Sequence, residues 1–283
     1  MNKNDSLGDR MKTYENVTRN YLTHRIPVII RIDGKAFHSF TRGFEKPFDS
    51  VLIEAMQQTM KYLCENVENC VLGYTQSDEI TLVLCDYKKL TSQAWFDNNI
   101  QKMCSISASM ATMAFNRYFM ELAQKWEDTE FGKISIEGTE ITNREQEERW
   151  YKYSSAHNAA VVKGAMFDSR VFNIPKEEVN NCLLWRQQDA TRNSIQSVAQ
   201  ANFSHKQLQN KNCSELQEML FQEKGINWNN IPTYLKCGSC CIKEQYEIET
   251  GDGMALRSRW VIDKEIPVFS QDTSYVNRRI TFE

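Results

Sequence analysis

The chain has no apolar run approaching the roughly 20 residues needed to cross a bilayer, so a membrane-spanning helix is not expected. Its opening, MNKNDSLGDR, lacks the apolar stretch of a secretory signal, and the expected compartment is the cytoplasm. An excess of positive charge is also missing: 34 Lys and Arg face 37 Asp and Glu, a net charge of −3. This argues against non-specific nucleic-acid binding through a basic coat, although a local basic groove would suffice for an RNA partner. A second CxxC pair is absent. Cys237-Gly-Ser-Cys240-Cys241 is the one cysteine cluster, and Cys213 and His205 stand alone upstream of it. A structural zinc site wants a second ligand pair, so zinc is disfavoured. Nine cysteines without a secretion signal point to reduced thiols rather than disulfides. Internal repeats and low-complexity segments are missing too.

What is present is an ordinary globular balance, 283 residues with 41% hydrophobic and 25% charged. That length allows one large domain or two small ones. Val28 to Ile32 is a short apolar run rich in β-branched residues, read as a buried strand, and it ends in Asp33-Gly34. Lys35, His38, Arg42 and Lys46 follow. A carboxylate beside several cations is what a metal-bound nucleoside triphosphate needs, but a strand, a turn and a solvated basic loop would read the same way. Leu52, Ala55, Met56, Thr59, Met60, Leu63 and Val67 recur at helical spacing, with Asp49 or Ser50 placed to cap the first turn. Val71 to Tyr74 and Ile80 to Leu84 then form a hairpin whose connection, Thr75-Gln76-Ser77-Asp78-Glu79, carries two adjacent acids. Strand, helix and hairpin in this order can bring Asp33 and Asp78 to one sheet edge, as a two-metal site requires.

The remaining chain reads more coarsely. Ser6 to Leu22 suggests an amphipathic helix packed on the sheet through Leu7, Met11, Tyr14 and Thr18. Thr91 to Trp126 suggests a long helix with an apolar face at Ile106, Met110, Met113 and Ala114. Glu127 to Arg149 is acidic and without clear period, and is read as an exposed insertion, at about 127–150. Ala159 to Ile174 returns to strand through Val161, Val162, Ala165, Phe167, Val171 and Phe172, with Asp168 and Arg170 as an ion pair at a turn. A helix begins at Pro175 and runs to about Asn202. Helical segments from Ser194 to Lys224 and a short β segment from Tyr234 complete the expectation. The order from Val28 to Ile174 is β-α-β-β-α-β, an α+β ferredoxin-like palm with antiparallel sheet and helices. Residues 1–200 are expected to be the catalytic domain and 201–283 an extension packed on it.

The stretches RIDGKAFHSF, EKPFD and YTQSDEITLV resemble the tRNA-His guanylyltransferase superfamily, and SLGDRMKTYE, AMFDSRVF and WRQQD fit the same resemblance. The match runs from about Ser6 to Asn193, with a weaker trace at PTYLKCGS. Within the superfamily the chain looks most like the guanylyltransferase-like 3′-to-5′ RNA polymerases that repair tRNA 5′ ends. Members that add guanosine to tRNA-His carry His-Ile-Asn-Asn-Leu-Tyr-Asn just after the WRQ-acid motif. Here Thr191-Arg192-Asn193-Ser194-Ile195-Gln196-Ser197 follows Ala190, with Thr191 in place of the histidine and only Asn193 clearly kept.

The resemblance implies a nucleotidyltransferase acting on tRNA, with GTP and ATP as substrates and two Mg²⁺ ions held by Asp33, Asp78 and the Gly34 carbonyl. Asp33 and Asp78 would be catalytic. Lys35, Ala36, Phe37, His38, Lys46 and Ser77 would join Asp33, Gly34 and Asp78 in seating the nucleotide, partly through backbone N–H groups. Glu79 and Arg31 would stand behind the ligands, and Arg42, Arg192 and Asn193 would meet RNA. A homotetramer is implied by the same analogy. Three alternatives stay open: a tRNA-His guanylyltransferase adding G at position −1, a nucleotidyl cyclase on the same palm, and a non-catalytic RNA-binding module. Intact Asp33 and Asp78 argue against the last.

Overall fold

A computed structural model describes residues 6–136, 144–250 and 253–282. Helix α1 (Ser6–Asn16) precedes β1 (Val28–Gly34), α2 (Phe37–Phe40) and α3 (Ser50–Asn66). The hairpin β2 (Cys70–Gln76) and β3 (Glu79–Leu84) follows, then α4 (Ile100–Ile136), α5 (Arg144–Lys163) and β4 (Phe167–Asn173). After these come α6 (Val179–Asn202), α7 (His205–Leu208), α8 (Cys213–Lys224) and α9 (Thr233–Cys237). The long strands β5 (Ser239–Thr250) and β6 (Gly253–Asp263) and the terminal helix α10 (Ser274–Ile280) complete the chain. No described helix is long and apolar enough to cross a membrane.

The sheet runs β4-β1-β3-β2-β5-β6, and every neighbouring pair is antiparallel. Its first four strands have the ferredoxin-like order, so the expected palm is what the chain forms. The C-terminal segment is not set apart, because β5 continues the same sheet beside β2. The strands read as continuous apolar runs because helices cover both faces. Ile30 and Ile32 pack with Met56, Met60 and Phe115 of α3 and α4. Ile29 and Val83 pack on the other face with Leu183 of α6 and Val276 of α10. Helix α3 buries Ala55, Met56, Thr59, Met60 and Leu63, and Asp49 caps it by accepting from the Leu52 N–H at 3.0 Å.

Several expectations change. Helix α1 ends at Asn16 and buries nothing; Leu7, Met11 and Tyr14 share a side but stay exposed, because no described element of this chain lies against them. Helix α4 begins only at Ile100 and continues to Ile136. Its buried face is Met103, Ala111, Ala114 and Phe115, whereas Ile106 and Met113 point outward. Most of the expected insertion is helical: residues 127–136 finish α4 and 144–150 begin α5, where Arg144 and Glu148 pair at 3.0 Å one turn apart and the Trp150 indole donates to the Glu127 carbonyl at 3.1 Å. The stretch 137–143 lies outside the described residues. Val161 and Val162 belong to α5 rather than to a strand, which starts at Phe167.

The cysteine cluster is split by strand geometry. Successive strand residues face opposite ways, and Cys240 joins the core under α10 while Cys241 joins the core under α3. They cannot grip one ion together. Burial pushes the Cys85 thiol up to about 12 and lifts those of Cys64 and Cys240 well above the usual range. The folded state holds these protons more tightly than the unfolded chain does. The stability they contribute is therefore intact below about pH 9 and is lost as pH rises from there toward about 12. The urea midpoint should stay level from neutrality to about pH 8.5 and fall by about pH 10.5. Cys85→Ala should make that fall shallower; an unchanged slope would mean the Cys85 thiol plays no part in it.

Candidate active site

The end of the palm sheet is shaped by three short connections. Strand β1 finishes at Asp33-Gly34, and the hairpin turns over at Ser77-Asp78. The Gly34 N–H donates to the Asp78 carbonyl at 3.0 Å, which sets the two acids at the same sheet end. Ser77 takes a left-handed φ of 50° to close the turn, and its hydroxyl donates to the Asp78 carboxylate at 3.1 Å. At Gly34 a side chain is excluded by packing: a Cβ would lie 2.2 Å from the Phe37 ring. Half-burial pushes the Asp78 carboxyl above the usual range, the turn's hydrogen bonds pull it back, and the charge of Asp33 raises it again.

In register, Asp33 faces Glu79 on β3 and Asp168 on β4. Cross-strand partners lie on one face, so three acids stand in a row. The protein's own cations settle on the outer two. Glu79 lies 3.1 Å from the Arg186 Nε and 4.0 Å from the Arg31 Nε, while Asp168 takes Arg170 at 3.3 Å. Burial pushes the Glu79 carboxyl up, and Arg186 and Arg31 pull it back. Arg186, only 7% exposed, also donates to Asp189 at 2.6 Å. Its approach to Glu79 is an ion pair without hydrogen-bond alignment. Among the described residues, Asp33 and Asp78 form no ion pair. They are the acids left for an external cation.

The loop after β1 carries the expected cations. Lys35, His38, Arg42 and Lys46 are exposed, and among the described residues none pairs with an acid. Ala36 takes a left-handed φ of 53° that starts α2. The loop is pinned at its far end by Asp49, which accepts from the Glu45 N–H at 3.2 Å and shares a hydrogen bond with the buried His157 at 2.9 Å. Beside the hairpin opens a cleft of about 160 Å³ that Ser77, Gln76, Phe48, Asn193 and Tyr234 help to line.

Asp33, Gly34, Lys35, Ala36, Ser77, Asp78 and Glu79 therefore gather at one sheet end, with Arg31 one row behind. Ser77 and Asn193 meet in the cleft. The Phe37 ring is buried, 5.1 to 5.6 Å from the rings of Phe40, Phe115 and Phe167, which leaves its backbone to face a ligand. Arg192 is exposed but tied to Asp189 at 3.2 Å. Sequence reasoning missed Arg186 as the partner of Glu79 and Asp49 with His157 as the loop's anchor. It found the Asp168–Arg170 pair but set it at a turn, whereas both residues lie inside the continuous strand β4, and it missed that Asp168 stands opposite Asp33. The one local signal was an acid, Glu79, at a strand position that has to face inward.

The donors suit a hard divalent cation. Two carboxylates, a backbone carbonyl and no nitrogen or sulfur ligand match Mg²⁺ chemistry. Among the described residues no three His, Cys, Asp or Glu side chains group as a metal cage.

The family model Thg1: tRNAHis guanylyltransferase matches residues 8–175. Two solved structures of a bacterial Thg1-like protein are similar to this chain. The one in complex with ATP is 43% identical with a TM-score of 0.77, covering 98% of this chain and 100% of its own. The one in complex with GTP is 41% identical with a TM-score of 0.74, covering 98% and 99%. A tRNA(His) guanylyltransferase of Saccharomyces cerevisiae is 26% identical over 236 residues, 78% of this chain and 84% of its own. With a model that spans more than half of its length and a palm whose sheet end sets Asp33 beside Asp78, the chain belongs to the tRNA-His guanylyltransferase family, a family of nucleotidyltransferases.

Proposed function

We propose that this enzyme extends tRNA at its 5′ end, in the 3′-to-5′ direction, and selects each nucleotide by pairing with the opposite acceptor strand, as 5′-end repair requires. The observation that carries this reading is the pair Asp33 and Asp78, which form no ion pair among the described residues and stand at the sheet end where the loop that carries Lys35, Arg42 and Lys46 starts. The similar bacterial proteins were solved with ATP and with GTP, and both nucleotides are taken here as substrates. Two Mg²⁺ ions bound by Asp33, Asp78 and the Gly34 carbonyl would supply charge stabilisation on the attacking and leaving oxygens of an in-line displacement.

The chain's own residues do the rest. Lys35 and Lys46 bring positive charge to a triphosphate, His38 offers a ring N–H, and the backbone N–H groups of Ala36 and Phe37 and the Ser77 turn hold its oxygens. A 5′-monophosphate RNA first attacks the α-phosphate of an NTP and releases pyrophosphate. The 3′-OH of the incoming nucleotide then attacks the activated 5′ phosphate, and the nucleoside monophosphate leaves. Both steps place growing negative charge on phosphoryl oxygens in reach of that cationic loop. Arg42 and Arg192, both exposed, and Asn193 in the cleft serve as RNA contacts.

Templated choice is supported by Thr191. It stands where tRNA-His enzymes carry a histidine, and its hydroxyl lies 3.8 Å from the Cys237 sulfur, packed against the protein. Assembly into a homotetramer fits the uncovered apolar positions Leu7, Met11 and Tyr14 of α1 and Ile106, Met113 and Met120 of α4. Incubation with a tRNA lacking its first 5′ nucleotide and labelled NTPs tests the reaction. Label should appear at the 5′ end. Label at the 3′ end, or cyclic nucleotide formed without RNA, would contradict it.

A further inference from the structure

Helix α6 crosses the same sheet face that carries Arg31 and Asp33, and it leaves an indole in the open. Trp185 is 50% exposed, unusual for so large an apolar ring. The ring is nevertheless held in place. The Arg186 guanidinium lies 4.1 Å from its centroid and that of Arg31 lies at 5.4 Å. Arg186 is fixed in turn by Glu79 and Asp189, and Arg31 approaches Glu79. The result is a half-exposed aromatic plate in contact with two guanidinium groups.

Its position is specific. Arg31 lies two residues before Asp33 on one face, roughly 7 Å along the strand. Arg170 stands opposite Arg31 in register on the edge strand. Arg192 is seven residues beyond Trp185, on the same side of α6 and roughly 10 Å away. The pairs Arg170–Asp168 at 3.3 Å and Arg192–Asp189 at 3.2 Å are exposed and weak, and each guanidinium keeps further donors for a phosphate. An exposed aromatic plate with cations to either side is the pattern of single-stranded nucleic-acid binding.

We propose that Trp185 is a stacking platform for an RNA nucleobase next to the reacting 5′ end, with Arg170 and Arg192 taking the flanking phosphates. The proposal rests on the reading that RNA is the substrate. A free nucleotide could offer the same base, and a second copy of this chain could cover the same ring, so the test separates them.

The probe is an acceptor-stem hairpin RNA with 2-aminopurine at its 5′-terminal position, titrated with the full chain and with Trp185→Phe and Trp185→Leu. Wild type and Trp185→Phe should quench the probe. Trp185→Leu should lose the quench and bind the RNA about tenfold more weakly, with its thermal melt and its affinity for ATP unchanged. Equal affinity and equal quench in the Leu variant would overturn the proposal. So would quenching of free 2-aminopurine riboside triphosphate that depends on Trp185, or a Leu variant whose only change is a smaller sedimenting species. If Trp185→Leu melts early, the Phe variant decides, because it must retain the quench for stacking to hold. Binding is read without turnover, so a wild-type chain that stacks the RNA but adds no nucleotide would sink the proposed reaction and leave this assignment standing.

Discussion

Replacing Asp33 or Asp78 by alanine will abolish nucleotide addition and leave the chain folded. Each substitution removes one of the two carboxylates at the sheet end that, among the described residues, no cation pairs with. The described residues offer no third acid free to take over, since Glu79 is held by Arg186 and Asp168 by Arg170. The expected loss is at least about a thousandfold in single-turnover rate, as when a major electrostatic contributor leaves a transition state. The fold gives a second readout. Burial and the charge of Asp33 push the Asp78 carboxyl up, so its ionised form is held at a cost at neutral pH. Without added metal, Asp78→Ala should melt no lower than wild type. A folded variant of either residue that keeps near-wild-type activity would remove the two-carboxylate site from the account.

Arg186→Leu should be the most damaging single change to stability near the site. Glu79 is 7% exposed and would keep only Arg31 at 4.0 Å. Breaking a buried ion pair by removing one partner costs about 3–5 kcal/mol, because the other charge stays buried and uncompensated. Pairing Arg186→Leu with Glu79→Leu should recover much of that loss, since the double change removes the stranded charge as well as its partner. Denaturant unfolding of the wild type, both single variants and the double variant measures the coupling. If the two losses simply add, the pair is not coupled. Activity should fall in Arg186→Leu as well, because Glu79 begins the strand that follows the Ser77-Asp78 turn.

The palm was legible because its signals are local. Asp49 caps a helix whose apolar residues recur at helical spacing, and a two-residue turn joins two apolar runs. The meeting of Asp33 with Asp78 followed from the order of these elements. What stayed hidden depends on distant partners. Arg186 is remote in sequence from Glu79, and nothing near either residue names the other. Phe37 sits among candidate ligands in the sequence, yet Phe40 beside it in α2 and two rings from distant elements, Phe115 of α4 and Phe167 of β4, draw it into the core. Helix α5 opens with charged residues, so its start reads as solvated loop, and its end carries Val161-Val162, which reads as strand. Packing on α4 decides both in favour of helix: Ala160 is buried in the shared core and Val161 packs against it. Helix α1 misled in the opposite way, because its apolar side is real but meets nothing in the described chain.

In the proposed reaction, pairing rather than a dedicated tRNA-His contact chooses the added nucleotide. The most direct measurement takes a set of otherwise identical non-His tRNAs, each missing its first 5′ nucleotide. The opposing 3′-strand base is varied through A, C, G and U, and the labelled NTP that enters at the 5′ end is scored. The account predicts that the complementary nucleotide enters in each case and that changing the opposing base changes the product. Guanosine added whatever the opposing base, and only on tRNA-His, would contradict it and make this chain a tRNA-His guanylyltransferase in the strict sense.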